Sequence, residues 1–320
     1  MRITQNFLLL PSLSISVSDI LLAAGKTIEE VNKTISNTGI SALHYSKSKK
    51  LSRFIFEGLS MIKAKHADVF EGVDAILVAS QTYDERIPAI STRIQSKFNL
   101  SASTFCIDIM DGCASFVKLL AIAKMLEDNG HKKILVIAGD LNSLITSDTD
   151  IGTKILFGDG LTATVLEADA HKSHVSLFNN GDNKGLIACC TTDNLMHMDG
   201  FEVFRFTRNV VPTLVKNYLE SAKSDLSLFD LIALHQASQL VVSAICSSLK
   251  IKNKLSDNFN CGKVGNLGGA SVSAWLSMVK GLESKGKLKM LAVGFGAGLS
   301  WGLASVLVEL KQNEVFYVEC

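Results

Sequence analysis

Four apolar runs of strand length recur along the chain: GVDAILVAS (Gly72–Ser80), HKKILVIAG (His131–Gly139), LFDLIALHQ (Leu228–Gln236) and LKMLAVGFG (Leu288–Gly296). Each is nearly continuous in hydrophobicity rather than alternating, the pattern of strands in a parallel sheet covered on both faces. Between them lie segments of helical length, including Leu51–Lys65, Ser115–Leu126 and Ser271–Leu282. Strands alternating with helices predict a layered α/β fold. The polar, basic stretch Ser41–Lys50 is expected to be a solvated loop or the approach to a helix.

Comparing the chain with itself sharpens this picture. GCASFVKLLAIAKMLEDNGHKKILVIAG begins at Gly112, and GGASVSAWLSMVKGLESKGKLKMLAVGFG begins at Gly268. An offset of 156 residues aligns Cys113 with Gly269, Ala114 with Ala270, Ser115 with Ser271, Glu127 with Glu283, Gly130 with Gly286 and Lys133 with Lys289. Both copies read as turn, helix, glycine-containing loop and buried strand. Each half closes on a similar phrase, FGDGLTATVLEA from Phe157 and FGAGLSWGLASVLVEL from Phe295, expected as glycine-rich turns feeding a last strand or strand pair. The chain therefore divides into two related halves, 1–168 and 169–320, that meet near residues 168 to 175.

Composition bounds the class. The 320 residues are 47% hydrophobic with 3 prolines, enough for a large core. A formal charge of +1 gives no basic surplus for nucleic acid. Seven cysteines (Cys106, Cys113, Cys189, Cys190, Cys246, Cys261 and Cys320) follow no CxxC or regular spacing and read as reduced thiols. MRITQNFLLLP falls short of a signal peptide, and no run approaches ~18 apolar residues, so no membrane insertion and a cytoplasmic location are expected.

The repeat isolates one residue. Where the second half has Gly269, the first has Cys113, just ahead of a helix. A small buried thiol accounts for this, and so does a nucleophile activated by unpaired N–H groups and the positive end of the helix. His235 ends an apolar strand, where ligands meet side chains in parallel α/β folds. It serves there either in chemistry or as a hydrogen-bonded spacer. Asn266, in KVGNLGGAS, either fills a left-handed turn or joins Cys113 and His235 at equivalent sheet edges. Together the three would supply a nucleophile, a ring nitrogen and an amide donor. GDG (Gly158–Gly160) and GFGAG (Gly294–Gly298) complete no phosphate-loop motif. His171 and His174 have no acidic or thiol partner at a useful interval, so no metal is expected. Cys189 and Cys190, in IACCTT, are expected within a buried strand, and GxSxG is absent.

The set Cys113, His235 and Asn266, with DGCASF (Asp111–Phe116), LFGDGLTATVL (Leu156–Leu166), MDGFEVFRF (Met198–Phe206), LHQAS (Leu234–Ser238), GNLGGAS (Gly265–Ser271) and VGFGAGLSWG (Val293–Gly302), resembles the beta-ketoacyl-acyl-carrier-protein synthase III family of the thiolase superfamily. The likeness runs from about residue 70 to 310, with a diverged N-terminal segment. It implies a five-layered αβαβα fold built from two duplicated halves, a homodimer and an active-site tunnel. It also implies that Cys113 accepts the acyl group, while His235 and Asn266 bind the second thioester's carbonyl and stabilise the enolate left by loss of carbon dioxide. The backbone of Cys113 and of the segment Gly296–Gly298 would form the oxyanion hole, and Phe204 and Phe206 would line the tunnel. No permanently bound cofactor is implied; thioesters of an acyl carrier protein or coenzyme A would be substrates.

The chain departs from that family at several positions. Val31 stands near a tryptophan expected to stack on coenzyme A, and no arginine occurs between NTGISALHYSK and Arg53. These differences remove expected partners of a nucleotide. QASQL replaces QAN followed by arginine, so Ser238 stands for asparagine. Asp111 and Gly112 replace small apolar residues, and an inward-pointing Asp111 would oppose thiolate formation. The departures argue for a specialised relative fed by an acyl carrier protein. Its reaction would be decarboxylative Claisen condensation, with two alternatives: transfer of the Cys113-bound acyl group to an amine or alcohol, and a non-catalytic partner subunit.

Overall fold

The computed structural model describes residues 1–171, 173–181, 185–189, 193–251 and 259–319. Nine strands form one mixed sheet system: β1 (Arg2–Pro11), β2 (Ala75–Ala79), β3 (Phe105–Ile109), β4 (Lys133–Asp140), β5 (Gly160–Glu167), β6 (His174–Asn179), β7 (Leu231–Leu234), β8 (Leu288–Gly296) and β9 (Ser300–Val318). The spatial order is β7-β8-β9-β1-β5-β4-β2-β3, with β6 also paired to β9. The first half thus runs β1-β5-β4-β2-β3 and the second β6-β9-β8-β7, the same relative order. Among the described residues no strand takes β3's place in the second half.

The four apolar runs do form parallel pairs, β2 with β4 and β7 with β8. The sheet as a whole is mixed, because β5 and β9 run antiparallel to their neighbours β4 and β8. Strand β1 was not expected. Its run RITQNFLLLP is buried along almost its whole length, between β5 and β9. The buried polar residues Thr4, Gln5 and Asn6 break its apolar run, so it lacks the continuous hydrophobicity that marks the other four strands.

Six helices complete the layers: α1 (Leu51–Lys65), α2 (Ile90–Lys97), α3 (Ser115–Asp128), α4 (Gly200–Ser221), α5 (Gln239–Leu249) and α6 (Ser271–Met278). Strand alternation sorts side chains between them. From β2, Ala75, Leu77 and Ala79 face a central core with α3 and α6, while Ile76 and Val78 face α1 and α2. From β7, Leu231 and Ala233 face the same central core, while Ile232 and Leu234 face α4 and α5. The result is helix, sheet, helix, sheet, helix: the α/β, thiolase-like αβαβα architecture of two duplicated halves.

The helix expected over Ser271–Leu282 ends at Met278, and Val279 is already extended. Within Ser41–Lys50, Ala42–His44 pairs with Ser14–Ser16, so this segment is only partly a loop. Ile187–Cys189 pairs with Met196–Met198 in a small ribbon; Cys190 and Cys320 lie outside the described residues. Among the described residues no helix is long and apolar enough to cross a membrane.

The central helices α3 and α6 start at facing turns, and this contact positions the site. A Cβ on Gly269 would lie 2.3 Å from Ser115 Oγ and 3.5 Å from the Gly112 carbonyl oxygen. Only glycine lets the two turns approach so closely.

Candidate active site

Cys113 sits between β3 and α3. The Ser115 N–H donates to the Gly112 carbonyl at 2.9 Å, closing a turn directly before the helix. Asp111 braces that turn: its Oδ1 accepts the Gly112 N–H at 2.7 Å, and its other oxygen pairs with Lys118 on α3. Gly296, at the end of β8, packs against the same turn. A Cβ there would lie 2.6 Å from the Cys113 Cβ and 3.2 Å from its backbone nitrogen, so a side chain would collide with the thiol-bearing residue.

The expected lowering of the thiol pKa by the helix start is not what the geometry produces. Burial, then the Asp140 and Asp111 carboxylates, push Cys113 up to about 12, and a hydrogen bond from its own backbone recovers only part of this. The thiol is therefore protonated in the free protein at neutral pH.

His235 follows β7 and its N–H donates to the Val293 carbonyl at 2.9 Å. Its ring meets Phe295 edge to face, with centroids 4.9 Å apart. Burial drives its pKa down to about 3, so the ring is neutral. Nδ1 is buried and has no hydrogen-bond partner. Asn266 is fixed by its backbone: its N–H donates to Leu156 and its carbonyl accepts from Gly158. The side-chain Oδ1 accepts the Gly268 N–H at 3.0 Å, which leaves the NH2 as the group free to donate.

Cys113, His235, Asn266, Gly296 and Phe204 line one cavity of about 140 Å³. Its remaining walls are largely apolar, from Phe157, Met198, Val203, Leu240, Val241 and Phe295 among others. Thr207 also reaches it, but its hydroxyl donates to the Phe204 carbonyl within α4. Ser238, where the family likeness leads one to expect asparagine, lines the cavity and caps α5 by accepting the Val241 N–H.

Two expected residues lie elsewhere. Phe206 is on another side of α4, where it packs edge-on against Trp301 and lines a separate surface pocket. Phe204 and Phe206 are two apart, and helical geometry sends such residues to different faces. Gly298 does not line the cavity, and nothing lies within 4 Å of its Cβ position. Ala297, not singled out from the sequence, makes the nearer contact: its Cβ is 3.3 Å from the Cβ position of Gly112. The walls from Met198, Val203 and Val241 also escaped sequence reasoning. The available signal was that Met198 and Val203 lie inside the motif MDGFEVFRF and Val241 close to LHQAS.

Two family profiles match, 3-oxoacyl-[acyl-carrier-protein (ACP)] synthase III over residues 107–182 and the C-terminal part of the same family over residues 219–308. A beta-ketoacyl-[acyl-carrier-protein] synthase III of Halalkalibacterium halodurans is 31% identical over 295 residues, covering 90% of this chain and 89% of the relative. This chain belongs to the beta-ketoacyl-acyl-carrier-protein synthase III family. It is a divergent member: a Streptococcus agalactiae beta-ketoacyl-[acyl-carrier-protein] synthase III is 29% identical over 293 residues, covering 86% of this chain and 89% of the relative. The crystal structure of a 3-oxoacyl-(acyl-carrier protein) synthase from Burkholderia xenovorans LB400 superposes with a TM-score of 0.91 at 24% identity, over 99% of this chain and 97% of that one, a likeness of fold. Membership makes the protein a condensing enzyme of the thiolase type.

Val31, expected near the family's coenzyme-A-stacking tryptophan, is buried against Val17, Leu21, Ile40 and Leu43. It offers no exposed face to a nucleotide.

Proposed function

We propose that Cys113 takes an acyl group from a carrier thioester and that the acyl-enzyme then condenses with a malonyl thioester. The observation that carries this reading is the meeting of a thiol, a neutral imidazole and a free amide N–H in one apolar cavity. In the first step the Cys113 sulfur attacks the thioester carbonyl, the carrier sulfur leaves, and the thiol proton passes to it. Two thioesters of similar energy exchange, so the step needs no external energy source. In the second step the malonyl carboxylate departs as carbon dioxide and leaves an enolate. The enolate carbon attacks the acyl carbon, and the Cys113 sulfur leaves and regains a proton.

His235 and Asn266 answer the charge that develops on the enolate oxygen. A proton on Nδ1 would be a buried donor with nothing to bond, so the imidazole donates from Nε2. The apolar walls favour release of uncharged carbon dioxide and shield the enolate from water. The Cys113 N–H and the segment at Gly296 would hold the oxyanion of the first step.

The donor we favour is an acyl carrier protein, given the loss of nucleotide partners at Val31 and before Arg53. A homodimer is part of the same reading. Among the described residues strand β3 pairs only with β2 and leaves its outer edge free. Beside it Phe105 is 40%, Met110 77% and Ile87 89% exposed, and the 87–91 segment is tied to β3 through the Ile90 N–H and Asp108. A free edge flanked by apolar side chains suits a second copy of the chain. The two halves are taken as 1–168 and 169–320.

The test is to supply acyl carrier thioester and then malonyl thioester, measuring carbon dioxide and product together. One carbon dioxide per ketoacyl thioester is expected. Acyl transfer to an amine or alcohol without carbon dioxide would replace condensation with the heteroatom reading. No turnover and no acylation with any donor would leave a non-catalytic subunit.

A further inference from the structure

The 156-residue offset that pairs Cys113 with Gly269 also pairs Asp140 with Gly296. The structure gives this pairing a physical meaning, because Asp140 ends β4 as Gly296 ends β8. In one half the strand-end residue is glycine and leaves room beside the Cys113 turn. In the other it is a carboxylate, fully buried, directed at the Gly268–Gly269 turn. Asp140 Oδ1 accepts from Ser80 Oγ at 2.8 Å and from the Gln81 N–H at 2.6 Å. Asp140 Oδ2 lies 2.8 Å from the Cβ position of Gly268. Burial raises the Asp140 pKa, and the Gln81 N–H, the Ser80 hydroxyl and the Gly269 N–H, counterpart of the Cys113 N–H, act against that rise. Oδ2 makes no bond of full hydrogen-bond geometry, so the turn holds it by its field more than by one short contact.

We propose that Asp140 is a built-in stand-in for the reacting oxyanion: it fills, at the Gly268–Gly269 turn, the place that the acyl oxygen takes at the Cys113 turn. This rests on the acyl-transfer reading above. The second half then keeps the anion-holding turn of the fold with its own side chain bound in it, which fixes that turn against the nucleophile's. Asp140 is a positioning residue, for it reaches no substrate. Its charge also bears on the thiol from the β4 side. The other groups facing Cys113 are Asp111 on its own turn, paired with Lys118 of α3, and the neutral His235 beyond β7.

Two variants test the assignment without any acyl donor. Asp140→Asn keeps the shape and removes the charge. Its Cys113 alkylation by iodoacetamide, read by peptide mapping across pH, is expected to shift its midpoint down by about one unit. At fixed pH below the midpoint that is about threefold faster, since about tenfold more thiolate is offset by its weaker nucleophilicity. Asp140→Ala vacates the anion place. Its melting temperature is expected to fall and to recover with added formate in a saturable way that the unmodified protein does not show. An unmoved alkylation profile in Asp140→Asn would overturn the proposal, and so would a folded Asp140→Ala that formate does not rescue. Failure of Cys113 to take up acyl groups would count against the acyl-transfer reading alone, because alkylation and formate rescue do not depend on it.

Discussion

The turn at Asp111–Ala114 and the turn at Leu267–Ala270 open equivalent helices of the central layer, α3 and α6, and they touch each other. One carries sulfur and opens onto a cavity; the other carries glycine and is closed by Asp140. On the proposed reading the backbone turn is common to both, and side chains decide which copy performs chemistry. His235 and Asn266 come from the second half, yet they line the cavity at the first half's turn. Duplication supplied two scaffolds, and the proposed chemistry draws residues from both.

Placing bulk where the turns meet should break this comparison most severely. Gly269→Val puts atoms within 2.3 Å of Ser115 Oγ, and the loss of stability is expected to be about 3 kcal/mol in urea unfolding. Survival of the variant with unchanged stability would mean the turns separate without cost. Next comes His235→Ala, which should leave acylation of Cys113 largely intact. The condensation step should slow by at least about a hundredfold, seen as an acyl-enzyme that accumulates and does not turn over. Loss of acylation itself in a folded variant would contradict the role given to the imidazole. Asn266→Ala should slow the same step, because it removes the other donor to the enolate oxygen.

The smallest effect concerns pH. His235 titrates near 3 when folded and near its ordinary 6.5 when unfolded, so the unfolded chain binds more protons between these values. Its contribution to stability is present above 6.5 and is lost as pH falls toward 3. Asp159 works oppositely: burial raises it to about 6 from 3.8, so its contribution is full below 3.8 and fades as pH rises through 6. Melting temperatures of His235→Gln should therefore decline less on acidification from pH 6.5 than those of the unmodified chain. Parallel curves would show that the buried imidazole is not the titrating group.

Much of the layered fold was legible in the order of apolar runs, and helix α1 was bounded correctly at Leu51–Lys65. The repeat exposed the pairing of Cys113 with Gly269 before any contact was visible. Strand β1 was not legible, because buried Thr4, Gln5 and Asn6 interrupt the continuous apolar run that marks a strand covered on both faces. Cys113, His235 and Asn266 stood out by residue type and by position at element ends, and they meet at one cavity. The apolar walls did not stand out as walls: Phe157 and Met198 lie inside motifs and Val241 close to one, but three separate segments give no sign that they face one cavity. The thiol's raised pKa was also hidden: it depends first on burial and then on Asp140, a residue 27 positions away in the chain that only folding brings near.

Asp111 is explained more simply than its sequence position suggests. It braces the nucleophile's turn through Gly112 and is ion-paired with Lys118, while its charge still adds to the rise of the Cys113 pKa behind burial and Asp140. What distinguishes the two turns most sharply remains the sulfur. The direct measurement is the intact mass of the protein after incubation with an acyl carrier thioester, beside Cys113→Ala treated identically. The predicted result is a gain of one acyl group on the unmodified chain and none on the variant. An adduct that persists in Cys113→Ala would move the chemistry away from this turn.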